Sequence, residues 1–293
     1  MSASASVLRW VLRRNQSSEA DLDIEETREG MERLARKLPR PRGVIFQRAS
    51  LGGVPAVRAA HWQSDADRAA LLLHGGGFIG GSASGHAAIA GRYSKASRGV
   101  VYTLDYRLAP EHPHPAAVTD AVAAVRALAE RVPGGRLAII GESAGGAIAL
   151  SALHELRDSG GPLPRCGVLT SPWLDLTLSA DSMTERADGD VGLSAARLEP
   201  MAEHYAAGRL DQPGPSPLFG DQSGLPPLLL QTGGDEILRG DAERLAARAR
   251  EQGVEVTLEV WDGMWHAWHG FAPFLSEARR AIAAVGAFLR SRT

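Results

Sequence analysis

Hydrophobic and polar positions along this chain switch between two periods. Apolar runs of strand length fall at 44–48, 54–60, 69–73, 99–104, 137–141, 166–170, 227–232 and 254–260. Between most of the later runs the apolar positions recur at helical spacing, at about 85–97, 115–131, 145–158 and 240–252, with a last such stretch at 275–290. Strands alternating with helices predict βαβ units and a mainly parallel, eight-stranded sheet flanked by helices on both faces, an α/β fold. Leu71-Leu72-Leu73 and Leu228-Leu229-Leu230 have no polar phase, as interior strands require. Val254, Val256, Leu258 and Val260 instead alternate with Glu255, Thr257 and Glu259, the period of a half-exposed strand, which belongs at an edge of the sheet.

Two stretches stand outside this rhythm. Residues 20–38 carry Leu22, Glu25, Glu26, Met31, Leu34 and Leu38 in a helix-like pattern that ends at Pro39 and Pro41, which predicts an N-terminal amphipathic helix. Residues 176–224 hold Asp188-Gly189-Asp190, a short helical pattern at 194–208 and Pro213, Pro215 and Pro217, and read as an insertion over the sheet. The expected organisation is a helical segment over 1–40 and one α/β domain over 41–293, with the insertion inside it.

Composition narrows the partners. A chain of 293 residues with 44% hydrophobic content can bury one large core. With 32 Lys+Arg against 34 Asp+Glu and no long block of either sign, nothing draws it toward nucleic acid or a membrane surface, and a small neutral substrate is the expectation. Cys166 is the one cysteine, so no internal disulfide can form, and a buried thiol in the cytoplasm is expected. The apolar Val7-Leu8-Arg9-Trp10-Val11-Leu12 is broken by Arg9 and followed by Arg13 and Arg14, so it lacks the uninterrupted core of a signal peptide. No apolar stretch reaches membrane-spanning length.

The sharpest local signal is Gly141-Glu142-Ser143-Ala144-Gly145, between the strand Leu137-Ala138-Ile139-Ile140 and the helix-compatible Gly146-Ala147-Ile148-Ala149-Leu150. This is the setting of a nucleophile elbow, a sharp strand-to-helix turn that needs small neighbours and lifts a serine hydroxyl above the sheet. Ser143 is the candidate nucleophile, and the N–H of Ala144, the residue after it, is a candidate oxyanion donor. A second signal is His74-Gly75-Gly76-Gly77-Phe78 after Leu71-Leu72-Leu73. Acyl transfer creates an oxyanion that backbone N–H groups can hold only where no side chain obstructs them, and three glycines give that access. The rival reading, a phosphate loop, lacks both a Gly-Lys-Ser/Thr ending and a G-x-G-x-x-G fingerprint. No clustered Cys/His or H-E-x-x-H spacing suggests a metal, and no cofactor motif appears.

In that order the motifs resemble those of the hormone-sensitive-lipase-like esterases of the α/β-hydrolase fold. Asp105-Tyr106-Arg107-Leu108-Ala109-Pro110-Glu111-His112-Pro113 and Ser171-Pro172-Trp173-Leu174-Asp175 resemble further family stretches, and the likeness runs from about residue 40 to the end. Glu142 departs from the Asp or Thr more often found there. The resemblance implies a serine carboxylesterase acting on short-chain acyl esters through an acyl-enzyme, with the helical segments as a cap. It implies Gly76 and Gly77 as the loop donors of the oxyanion hole.

A serine hydroxyl needs a base, itself oriented by an acid, and in this fold the chain order is Ser, acid, His. The G-x-D-x-x-L-like stretch Gly233-Gly234-Asp235-Glu236-Ile237-Leu238 implies Asp235 as the acid, with Glu236 its neighbouring competitor. Only His266 and His269 follow, and Met264-Trp265-His266-Ala267-Trp268 is the fuller match to the family's M-x-H-x-W form, so His266 is the implied base. Asp105, Arg107 and Glu111 are expected to tie a loop beneath the site. A cap would line an acyl pocket with Trp173, Leu174, Met201 and Tyr205, and family members often pair through the strand here at 254–260, which implies a homodimer. Amidase, lactonase or deacetylase chemistry on the same residues, or a ligand-binding receptor, are the alternatives.

Overall fold

The computed structural model describes residues 2–14 and 23–293. Its sheet has eight strands, β1 (Val44–Leu51), β2 (Val54–His61), β3 (Asp65–Leu73), β4 (Gly99–Leu104), β5 (Leu137–Glu142), β6 (Cys166–Thr170), β7 (Leu228–Gly233) and β8 (Val256–Trp261), in the order β1-β2-β4-β3-β5-β6-β7-β8. Pairings β1–β2 and β2–β4 are antiparallel; all others are parallel. The helices are α1 (Ala3–Arg14), α2 (Ile24–Lys37), α3 (Ala87–Ser97), α4 (Ala116–Arg131), α5 (Ala144–Asp158), α6 (Ser182–Glu185), α7 (Ala195–Ala206), α8 (Arg239–Glu251) and α9 (Ser276–Arg292).

The strands without a polar phase feed two cores at once. Leu71, Leu73, Ile139, Leu169, Leu228 and Leu230 pack with α4, α5, α7 and α8 on one face. The intervening Leu72, Ile140, Val168 and Leu229 pack with α3 and α9 on the other. Because side chains alternate across a strand, an all-apolar run is the sequence signature of a sheet covered on both sides. Cys166 is fully buried in β6, where burial pushes its thiol up to about 12. At the far edge β8 is half-buried along its length with Thr257 exposed, and its outer ladder pairs with nothing among the described residues.

The N-terminal helix read over 20–38 is α2; Leu22 lies outside the described residues. Asp23 caps it by accepting from Glu26 N at 2.9 Å, and Glu25 and Glu26 at its start and Arg36 and Lys37 at its end complement the helix dipole. The sequence pattern does not predict α1. Arg9, the charge that interrupts its apolar run, is what docks it, donating to Gly189 O at 3.3 Å and to the carboxylate of Asp235. On its inner face Ala5 is fully buried, with Leu8 and Leu12 partly buried alongside. The insertion between β6 and β7 carries α6, α7 and a 3-10 turn at Pro217–Phe219. No helix of the described residues is long and apolar enough to cross a membrane.

Candidate active site

At the end of β5 the chain turns into α5 through Ser143, which has φ 54° and ψ −122°. A non-glycine residue at positive φ is strained and persists only where its surroundings enforce it. Here Ser143 N donates to Thr170 O at 3.0 Å, and Ser143 O accepts from Gly146 N at 2.8 Å and Trp173 N at 3.1 Å. Gly145 permits the turn, since a Cβ there would collide with the carbonyls of Leu73 and His74. The hydroxyl is thereby fixed at the N-terminus of α5, where the helix dipole favours negative charge.

The loop after β3 lies beside this turn. A Cβ on Gly75 would stand 3.1 Å from Ser143 Cβ. Gly76 and Gly77 take φ of 128° and 60°, which favour glycine, and a Cβ on Gly77 would press on Met201 Sδ of α7. The loop closes on itself through Ile79 N and Gly80 N, which both donate to Gly76 O. Among the described residues the N–H groups of Gly76, Gly77 and Ala144 donate to no protein acceptor. Beneath the loop, Tyr106 Oη donates to His74 O at 2.7 Å. Burial, aided by nearby His86, lowers His74 to about 3, so its ring is neutral.

His266 arrives on the loop after β8, with its Nε2 2.9 Å from Ser143 Oγ. Ala267 N donates to Ser171 Oγ at 3.1 Å, while Gly234 N donates to Trp261 O at 2.8 Å and Asp235 N to Met264 O at 3.0 Å. These bonds fasten the histidine loop to β6 and to the acid-bearing turn after β7. His269, the alternative base, is turned away: it is fully buried, Nε2 bonds Gln231 Oε1 at 2.9 Å, and burial, followed by the nearness of His266, lowers it to about 3.

The structure separates the two neighbouring acids differently from the sequence expectation. Asp235 points outward to Arg9 of α1. Glu236, fully buried, has Oε2 3.5 Å from His266 Nδ1, and Thr232 Oγ1 donates to its Oε1. At 3.5 Å the Glu236–His266 contact is an ion-pair separation rather than a full hydrogen bond, yet neither atom has another partner among the described residues. The carboxylate beside the imidazole is therefore Glu236 and not Asp235. In the turn between β7 and α8, Asp235 goes to Arg9 and Glu236 to His266. Burial by itself would lower His266; the carboxylates of Glu236, Asp190 and Glu142 outweigh it and leave the imidazole raised above its ordinary 6.5.

The residues expected to line a pocket are brought together around Phe78, which sequence reasoning passed over. Tyr205 stacks on Phe78 at 3.8 Å between ring centroids, Trp173 tilts against Phe78 at 5.3 Å, and Leu174 and Met201 are buried beside them. Its signal was its place directly after the three glycines. The charged stretch is structural, as expected. Asp105 Oδ1 accepts from Ala83 N at 2.6 Å, Arg107 clasps Asp120 at 2.8 Å, and Glu111 pairs with Arg28 of α2 at 2.7 Å. Arg28 also donates to Ile79 O at 2.6 Å and Ala109 O at 3.0 Å, which seats α2 against the glycine loop.

Comparison with known proteins agrees with this geometry. A family described by the alpha/beta hydrolase fold matches residues 70–270. An acetyl-hydrolase of Streptomyces hygroscopicus is 46% identical over 228 residues, 77% of this chain and 76% of that protein. An esterase of Acinetobacter venetianus is 33% identical over 279 residues, 94% of this chain and 91% of its own. Among solved structures, an esterase from the bacterial hormone-sensitive lipase family superposes with a TM-score of 0.95 at 38% identity, covering 100% of this chain and 99% of that one. A second, soaked by p-nitrophenyl butyrate, gives a TM-score of 0.96 at 38% identity with the same coverage. By fold, motif order and full-length likeness, this chain belongs to the hormone-sensitive-lipase-like family of the α/β-hydrolase fold and is a carboxylic ester hydrolase.

Proposed function

We propose that Ser143, His266 and Glu236 form a catalytic triad that cleaves short acyl esters of small molecules through an acyl-enzyme. The 2.9 Å approach of His266 Nε2 to Ser143 Oγ carries this reading. Ser143 Oγ attacks the ester carbonyl carbon as its proton passes to His266 Nε2. Glu236, beside Nδ1, orients the ring and stabilises the imidazolium. The backbone N–H groups of Gly76, Gly77 and Ala144 receive the oxyanion, where one such donor is worth about 10²- to 10³-fold in rate. His266 then protonates the departing alcohol. Water, activated by the same imidazole, releases the acid and restores Ser143. A fluorophosphonate probe tests the reading: wild-type protein is labelled at Ser143, and an unlabelled protein would instead point to a binding role. Initial rates on p-nitrophenyl esters and matched anilides separate ester from amide preference, with esters expected to be the faster.

The reading extends to chain length. α2, seated on the glycine loop by Arg28, and α7, seated on Gly77 by Met201, act as a cap that closes an acyl pocket among Trp173, Leu174, Met201 and Tyr205. Each methylene gains about 0.8 kcal/mol only while there is room to bury it, so activity peaks between acetyl and hexanoyl esters and falls steeply beyond. Deleting residues 1–38 removes Arg28 and flattens that profile; an unchanged profile and stability would exclude the N-terminal segment from the cap.

For assembly, the open ladder of β8, within 254–260, serves as a homodimer contact, since an unpaired edge otherwise invites uncontrolled pairing. Sedimentation at micromolar concentration is expected to give a dimer, and a monomer there removes this contact. A buried lone thiol suits a cytoplasmic setting.

A further inference from the structure

A second buried carboxylate stands at the acid turn, and it comes from the insertion. Asp190 is 3% exposed. Its Oδ2 accepts from Ile237 N, directly after Glu236, at 3.0 Å. Its Oδ1 accepts from Gly192 N at 2.9 Å and Leu193 N at 3.3 Å within its own loop. No basic side chain pairs with it among the described residues; three backbone N–H groups hold it.

The loop around Asp190 touches every part that delivers the base and its acid. A Cβ on Gly189 would stand 3.2 Å from Asp235 O, and one on Gly192 would stand 3.9 Å from His266 Cβ. Val191 is buried in the cluster that contains Met264 and Trp265, the two residues before His266. From outside, Arg9 and Arg13 of α1 donate to Gly189 O and Asp188 O at 3.3 and 2.8 Å.

We propose that Asp190 is a positioning residue, which locks the insertion to the Glu236 turn and so holds Glu236 at His266 Nδ1. The inference rests on the Ser143–His266–Glu236 reading and adds to it a residue that touches no reacting atom. Ile237 N is one peptide from Glu236 Cα, so its bond to Asp190 restricts how far the Glu236 carboxylate can swing from the imidazole. The outer partners of a catalytic residue commonly fix its orientation in this way, and small displacements there cost rate rather than binding. Burial raises the Asp190 carboxyl above its ordinary value, against the pull of His266 and of the Gly192 and Ile237 N–H groups; in its ionised form it also favours the imidazolium that forms when Ser143 is deprotonated. The charged and titratable groups that act on Asp190 are His266 and Glu236; Glu142 acts on His266, while Arg9 pairs with Asp235 and Arg13 holds the Asp188 carbonyl from α1.

Asp190→Asn tests this, because the amide keeps the size but gives up one acceptor and the charge. With p-nitrophenyl butyrate as substrate, kcat is expected to fall about tenfold or more, the worth of one charge-assisted hydrogen bond, with KM within about twofold. The acid limb of kcat/KM moves to lower pH, since His266 loses a neighbouring negative charge. In a Glu236→Gln background the same change costs less than about threefold, because residues acting as one unit are not additive. Rates are normalised to the fluorophosphonate-labelled fraction. Absence of labelling in wild type defeats the serine reading itself, whereas labelling with an unmoved acid limb, a pure KM effect or full additivity defeats only the role of Asp190. Should Asp190→Asn not fold, Asp190→Ser, which retains an acceptor for Gly192 N, is measured alike; failure of both to fold makes Asp190 structural and overturns the proposal.

Discussion

Ser143→Ala is expected to lower kcat for p-nitrophenyl butyrate by about 10⁵- to 10⁶-fold, the scale at which loss of a serine nucleophile leaves only binding and the oxyanion donors. Folding should be spared. Ser143 sits at φ 54° through bonds made by its backbone to Thr170, Gly146 and Trp173, and alanine keeps all of them. Among the described residues the side-chain bond lost is the one to His266, so stability should change by no more than about 1 kcal/mol. Kinetics and thermal unfolding on the same preparation check both halves, together with loss of fluorophosphonate labelling. Near-wild-type turnover in the folded variant would remove Ser143 from the chemistry.

Glu236→Gln and Asp235→Asn should differ sharply although the residues are neighbours. Glu236→Gln leaves His266 Nδ1 without its carboxylate and is expected to cost about 10³- to 10⁴-fold in kcat, as loss of the orienting acid does in other triads. Asp235→Asn breaks a partly buried ion pair with Arg9 that lies away from the imidazole, and its effect on turnover should stay below about fivefold, the equivalent of about 1 kcal/mol. The pH profile gives a second readout. The base works when neutral, so kcat/KM falls as pH drops through the pKa of His266, which the surrounding carboxylates hold above 6.5. Removing the Glu236 charge leaves burial acting against fewer carboxylates; the pKa falls and the acid limb moves to lower pH. In Asp235→Asn that limb should stay where it is. Equal losses in the two variants would return the acid role to Asp235.

The contrast between these acids shows where reading along the chain reaches its limit. Every strand run seen in the pattern is a strand, within a few residues at each end, and the edge position of β8 follows from the alternation of Val256 and Leu258 with Thr257 and Glu259. These properties are local: the side-chain period of two and the helical spacing are written in consecutive residues. The elbow and the glycine loop are equally local, because the small neighbours of Ser143 and the bare backbone of Gly76 and Gly77 answer to sterics within a few residues. The helix α1 was not legible, since Arg9 reads as a break in an apolar run until its partners Gly189 and Asp235 are in place.

Local pattern is enough for the α/β sheet, the serine turn and the two histidines from which a base could come. The Met264-Trp265-His266-Ala267-Trp268 pattern already favoured His266, and the folded chain brings it to Ser143; which acid faces that imidazole was settled only by the tertiary contacts. His266 and His269 are three residues apart and Asp235 and Glu236 are adjacent, so their local signals are nearly the same. What separates them lies mainly in distant parts of the chain: Gln231 claims His269, Arg9 claims Asp235, and the fold of the His266 loop leaves Glu236, steadied by the nearby Thr232, facing the imidazole. Hydrogen bonds and ion pairs of that range depend on where the folded chain returns, which no residue pattern along it encodes.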